Sequence, residues 1–142
     1  MVRDQLTNVQ HIQASQRAFA ALRADRSVVT WGNPTAGGDS SGVRSQLHGV
    51  RELRASAGAF AAVLSDRSVV TWGDPERGGD SSAVREQLQT VQQIQASSSA
   101  FAAVLADESV VTWGKAEDGG ARDCDVLYVH FHACSDPSPR FM

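Results

Sequence analysis

The hexapeptide SVVTWG stands at residues 27–32, again at 68–73 and again at 109–114, each copy beginning 41 residues after the one before. The wording around it is shared as well. Over residues 5–45, 46–86 and 87–127 each unit opens on Gln-Leu and carries a valine three residues after that leucine. Ala-Ser follows, then Ala-Phe-Ala-Ala, an aspartate, SVVTWG and a Gly-Gly pair. Self-similarity at a period of this size marks an array of small structural units, none able to bury its own apolar face, which are stable only when stacked on their copies.

Within a unit the hydrophobic period is mostly two. In the third copy, Val91-Gln-Gln-Ile94-Gln-Ala96 sets Ile94 and Ala96 on one face and glutamines on the other. The stretch 100–105, Ala-Phe-Ala-Ala-Val-Leu, is apolar on both faces, as expected of a strand held between neighbouring sheets. Asp107-Glu108 reads as a two-residue turn, and 109–113 as the returning strand. Such a turn ordinarily needs positive φ at both residues and favours Asp-Gly. Arg26, Arg67 and Glu108 occupy the glycine place, which either costs about 1 kcal/mol per copy or signals another turn type.

Beyond Trp-Gly lie Pro34 or Pro75 in the first two units and then the glycine pair. Next, Val84, Leu88 and Val91 fall at i, i+4 and i+7 behind the candidate N-caps Asp80, Ser81 and Ser82, predicting a helix of one or two turns. Each unit is thus three strands and a short helical connector. Gly32, Gly73 and Gly114 let the chain leave its strand sharply. Trp31, Trp72 and Trp113, with Phe19, Phe60 and Phe101, are the residues expected to fill the space between adjacent sheets.

The chain is 142 residues long and 42% apolar, much of that alanine, enough for one compact domain built from small side chains and three tryptophans. No apolar run approaches the ~18 residues of a membrane span. The segment 1–5 shows no apolar signal region, although Met1 is also compatible with an internal position in a longer protein. Two cysteines, both near the C-terminal end, give no disulfide framework. The expectation is a soluble protein of a reducing compartment, whether cytoplasm, nucleus or organelle stroma. A net charge of −3 excludes the usual basic nucleic-acid surface. Charge drifts from +2 over residues 5–45 to −4 over 87–127, which fits either head-to-tail stacking with its own kind or neutral variation on solvated loops.

Candidate chemistry is sparse. Gly38-Asp-Ser-Ser-Gly42 resembles a serine-protease sequence, but the second unit repeats Gly-Asp-Ser-Ser, pointing to a loop and helix cap. In the stretch 124–134, alternation puts Tyr128, His130, His132 and Cys134 on one strand face. With Cys124 nearby they are candidate zinc ligands; the alternatives are an inter-cysteine disulfide or a plain strand with free thiols. That strand also reads as a degenerate fourth unit, covering the open face of the third or pairing with another protein's edge. Residues 128–142 form a C-terminal strand and extended tail. His11 and His48 fall at non-equivalent places, and Arg51 and Arg54 stand where the third copy has glutamines, on a solvated face or against an acidic partner. No convergent acid, base and nucleophile set is present, so no enzyme and no cofactor are expected.

The pattern Val-x-x-Ile-x-Ala-Ser…Ala-Phe-Ala-Ala…Asp-x-Ser-Val-Val-Thr-Trp-Gly…Gly-Gly resembles the repeats of the regulator of chromosome condensation (RCC1) family over residues 5–120. The resemblance implies an all-β fold: three RCC1-like blades of about three strands each, forming a partial, open β-propeller. Two departures stand out. The turn glycine is missing from all three units, and three units cannot close a ring, since propellers use four to eight blades. The chain is therefore part of a longer array, or one of several chains that complete a ring, or an open stack that leans on a partner.

Function carries over less readily than fold. The family's founding member exchanges guanine nucleotide on a small GTPase and binds chromatin, but no matching basic tail is present. A plant ultraviolet receptor of this fold uses tryptophans in a different motif. Other relatives pair the propeller with a ubiquitin-ligase domain, absent here. The resemblance implies a non-enzymatic interaction or structural module, docked as a subunit or fragment in a larger assembly, its protein partners covering the open end blades. Arrays worded almost like this one look common in unicellular algae, where that assembly would be a photosynthetic complex. The alternative is a regulatory propeller fragment of a longer parent that carries nucleotide exchange or ubiquitin-ligase targeting.

Overall fold

The computed structural model describes residues 3–115 and the strand Val126–Tyr128. Strands β1 (Val9–Ala14), β2 (Ala18–Arg23) and β3 (Val28–Gly32) form one antiparallel sheet. β4 (Val50–Ala55), β5 (Ala59–Leu64) and β6 (Val69–Gly73) form a second. β7 (Val91–Ala96), β8 (Ala100–Leu105) and β9 (Ser109–Gly114) form a third, with β10 (Val126–Tyr128) beside β9. Pairing is in register copy by copy: Phe19 lies opposite Trp31, Phe60 opposite Trp72 and Phe101 opposite Trp113. The first strand of each sheet carries the same irregularity, between Val9 and His11, Val50 and Glu52, and Val91 and Gln93.

The middle strands separate two kinds of face. Ala18, Ala20 and Leu22 of β2 pack against Leu53, Phe60, Ala62, Val70 and Trp72 of the second sheet. On the second sheet's far side, Ala59, Ala61 and Val63 pack against Ile94, Phe101, Ala103, Val111 and Trp113 of the third. Every sheet thus has an aromatic leading face and an alanine-rich trailing face, and sheets stack leading face on trailing face. The apolar-on-both-sides middle strand follows from this arrangement.

Two local expectations become specific. The β2–β3 hairpin is not a two-residue turn with positive φ at both positions. Arg26 N donates to Arg23 O at 2.8 Å and Arg23 N to Ser27 O at 2.9 Å, and only Arg26 of the turn has positive φ, 72°. This is a tight turn followed by one left-handed residue. Arg67 (φ 73°) and Glu108 (φ 74°) repeat it. The preceding aspartate supports it: Asp25, Asp66 and Asp107 each accept from the backbone N–H, at 2.9–3.0 Å, and from the hydroxyl, at 2.6 Å, of the serine two residues on. Asp-x-Ser is therefore an Asx turn that fixes the hairpin without glycine.

The expected short helical connector, second, is present as a six-residue 3-10 helix: Ser82–Gln87, with Ser41–Gln46 as its copy. Val84, Leu88 and Val91 are all buried, but the last two lie beyond the helix. A 3-10 helix rises about 2.0 Å per residue, so six residues reach farther across the sheet edge than six of an α-helix. Ser81 stands at the N-cap without a side-chain cap bond, while the Asp80 carboxylate accepts from Ser82 N at 2.9 Å.

At the C-terminal side, β10 pairs in plane with β9, Leu127 opposite Val110. This segment extends the sheet edge; it does not lie over the third sheet's face. His130, His132, Cys134 and Cys124 lie outside the described residues. Among the described residues no helix is long and apolar enough to cross a membrane.

Two outcomes follow from the hairpins. Arg67→Gly removes the left-handed strain of an exposed residue and is expected to raise unfolding stability by roughly 1 kcal/mol in a denaturant titration. The serine hydrogen bonds hold the Asp25, Asp66 and Asp107 carboxyls below their ordinary value of 3.8. Protons therefore bind the unfolded chain more readily than the folded one. The stabilisation is whole above that ordinary value and is lost as pH falls through and below it. Melting temperature is expected to hold between pH 7 and about 5 and to fall below about 4. Asp66→Asn, which keeps the Asx acceptor, should make the acid limb shallower.

Candidate functional site: the joint between sheets and its open copy

The joint is built from a phenylalanine–tryptophan pair on one sheet and a glycine in the loop that follows the last strand of the sheet before it. Phe60 and Trp72 stack with ring centroids 5.5 Å apart, and Phe101 and Trp113 do the same. Trp72 Nε1 donates to Gly37 O at 3.1 Å, and Trp113 Nε1 to Gly78 O at 3.0 Å. These glycines have φ of 101° and 99°, and a Cβ on either would fall 2.4–2.6 Å from the Cδ2–Cε2 edge of Phe60 or Phe101. One residue thus supplies the carbonyl that the indole needs and the bare α-carbon against which the phenyl ring edge is set.

Two backbone bonds recur at each joint. Gln16 N donates to Ala57 O and Ala57 N to Ser98 O, both at 2.8 Å. Val50 N donates to Arg26 O and Val91 N to Arg67 O, at 3.1 and 3.0 Å. The second joint has a further clasp that the first lacks. Arg54 Nε donates to Ile94 O at 3.2 Å, and its guanidinium pairs with Glu52, whose carboxylate accepts from Ile94 N at 3.4 Å. Arg54 is therefore neither simply solvated nor free for an acidic partner, whereas Arg51 is exposed.

Gly32, Gly73 and Gly114 end the third strand of each sheet with φ of 111–116°, their α-carbons against Ala18, Ala59 and Ala100. The Gly-Asp-Ser-Ser loops close on themselves. Thr30 Oγ1 donates to Gly38 O at 3.1 Å and meets Ser40 Oγ at 3.0 Å, and Asp39 accepts from Ser41 N at 2.9 Å. Hydrogen bonds from Ser41 and Ser82 lower the pKa of Asp39 and Asp80. Among the described residues no three His, Cys, Asp or Glu side chains cluster as metal ligands would. The residues that sequence reasoning passed over are Gly37 and Gly78. Their signal was present, since the glycine pair recurs in every unit, but a glycine pair reads first as a turn.

The first sheet carries the same pair with no described residue packed over it in the way β2 and β5 cover the other two. Phe19 and Trp31 stack at 5.4 Å. Phe19 is 44% and Ile12 50% exposed, where Phe60, Phe101, Leu53 and Ile94 are at most 1% exposed. Trp31 Nε1 has no acceptor among the described residues.

The architecture is shared with solved propellers. A yeast RCC1 (Prp20) structure in complex with Kap60 aligns at TM-score 0.55 and 15% identity, covering 75% of this chain and 29% of that one. Human WBSCR16 aligns at 0.53 and 19%, covering 75% and 34%. The ectodomain of the receptor kinase CR4 of Physcomitrella patens aligns at 0.51 and 18%, covering 75% and 29%. No protein-family model and no curated protein sequence matches the chain. The fold is that of an RCC1-like β-propeller, present as three blades in an open arc that spans about a third of the matched structures' length.

Gly78→Ala drives a methyl group against the edge of the Phe101 ring and puts a side chain at positive φ. Left-handed strain and overpacking together are expected to cost about 3 kcal/mol. Chemical denaturation should show it, and the exposed Gly42, where an added Cβ would meet no non-neighbouring atom within 4 Å, is the control position.

Proposed function

We propose that the chain is a non-enzymatic protein-interaction module, a short propeller arc whose first blade docks a protein partner inside a larger assembly. In this reading the three repeats over 5–45, 46–86 and 87–127 are its units. The pairs Phe60–Trp72 and Phe101–Trp113 hold blades together and Phe19–Trp31 is their open counterpart, with Gly32, Gly73 and Gly114 turning the chain at the end of each third strand. The observation that carries it is the first leading face, where Ile12, Phe19 and Trp31 present to solvent the contact surface that the other two blades bury. An apolar patch of this make-up on an open edge marks an association site. The yeast propellers of like fold are described with protein partners: Kap60 in one case, Gsp1p and histones in another.

A second reading, a segment of a longer regulatory propeller, is favoured by the 29–34% coverage of the matched chains. Isolation of the tagged chain from its own cells separates partner docking from mere folding. A protein partner should co-purify with the native chain and be lost at least tenfold with Phe19→Asp, whose circular dichroism stays native. A chain that purifies alone as a cooperatively melting monomer, with Phe19→Asp indistinguishable from it, would overturn the reading.

A further inference from the structure

We propose that the occupant of the first blade's open face is the third blade of a second copy of this chain, which rests on the reading of that face as a docking site. The structure describes what covers such a face, because it does so twice. Over Phe60 and Trp72 lie the alanines of β2, the carbonyl of Gly37 and the N–H of Gln16. Over Phe101 and Trp113 lie Ala59, Ala61 and Val63 of β5, the carbonyl of Gly78 and the N–H of Ala57. The face made by Ile12, Phe19 and Trp31 has the same residue types in the same register, so it calls for the same cover.

That cover exists at the other end of the chain. β8 supplies Ala100, Ala102 and Val104 in the places of Ala59, Ala61 and Val63. Ala102 and Val104 are half-buried where Ala61 and Val63 are at most 1% exposed. Ser98 N, the successor of the donors Gln16 N and Ala57 N, has no acceptor among the described residues. Gln16 O, the counterpart of the acceptors Ala57 O and Ser98 O, receives no donor there. β10 sits in the plane of its sheet and does not lie across β8. Charge agrees: residues 5–45 carry +2 and residues 87–127 carry −4. The contact is head-to-tail, so it continues from copy to copy and ends in a ring or a filament according to the angle between blades.

The test uses the full chain with Cys124→Ser and Cys134→Ser. One preparation carries Gln16→Cys and another Ser98→Cys, and the two are mixed under mild oxidation. An in-chain pair, Gln16→Cys with Ala57→Cys, calibrates the geometry, since these residues already bond across a joint. Disulfide dimers are expected in the mixture and not in either preparation alone. Adding Phe19→Asp should cut their yield at least tenfold, and light scattering of the uncrosslinked chain should show mass rising with concentration. Equal crosslinking in the single preparations would mean random collision and overturn the proposal. So would a further SVVTWG unit in frame before residue 1, which would cover the face within one chain. A chain that stays monomeric and uncrosslinked, yet loses a co-purifying protein with Phe19→Asp, refutes the second copy and leaves the docking reading standing. If Phe19→Asp releases nothing either, both fall.

Discussion

A phenyl ring edge set against a bare glycine, with the neighbouring indole bonded to that glycine's carbonyl, is the constraint on which the molecule depends. Burying a Phe–Trp pair takes roughly 300–500 Å² out of water. At about 25 cal/mol per Å² the gross drive is on the order of 10 kcal/mol per joint. The indole hydrogen bond adds only about 1 kcal/mol net. The apolar contact therefore supplies the stability, and the polar one supplies the position. Without the bond a ring could slide along the alanine surface of the preceding sheet, which offers few features to stop it. With Trp72 held to Gly37 O and Trp113 to Gly78 O, one rotation between sheets is selected and repeated.

The rest of each unit serves that geometry. Phe and Trp must stand opposite each other on adjacent strands, so hairpin register cannot slip by even one residue without turning the pair to the wrong face. A glycine would relax the turn, yet Arg26, Arg67 and Glu108 stand there at positive φ. The aspartate before each of them accepts two hydrogen bonds from the serine after it, and that local bonding fixes the turn with no glycine present. The backbone carbonyls of Arg26 and Arg67 in turn accept from Val50 and Val91 of the next sheet. The residue at positive φ is thus also a joint residue, tied to the next blade through its backbone carbonyl.

The strands, their grouping in threes and the double-sided burial of the middle strand were legible because they rest on hydrophobic period, which a sequence displays directly. So was the special status of Trp and Phe, conspicuous in a chain whose core is otherwise alanine and valine. What could not be read depends on backbone acceptors. Nothing in a Gly-Gly pair announces that its first carbonyl receives an indole from 35 residues downstream. The short helical connector was legible too, but i, i+4, i+7 spacing reports which residues are buried and not which kind of helix carries them. Arg54 was placed on a solvated face because its partner Glu52 has no counterpart in the other units, so the repeat pattern gave it no weight.

The two faces of a blade differ, and this limits how the arc can be completed. A leading face offers Phe, Trp and an indole donor; a trailing face offers alanines and, at both described joints, a glycine carbonyl. Two leading faces brought together about a two-fold axis would set donor against donor at Trp31 and acceptor against acceptor at Gln16 O. Each would then be buried without a partner, at about 1–3 kcal/mol apiece. A symmetric dimer through the first blade is therefore disfavoured by the polar groups that give the joint its register. What remains is a trailing face, from another copy, another repeat or a protein that imitates one with small side chains and a carbonyl in Gly37's place. The chemistry of the missing neighbour is written in the two neighbours that are present.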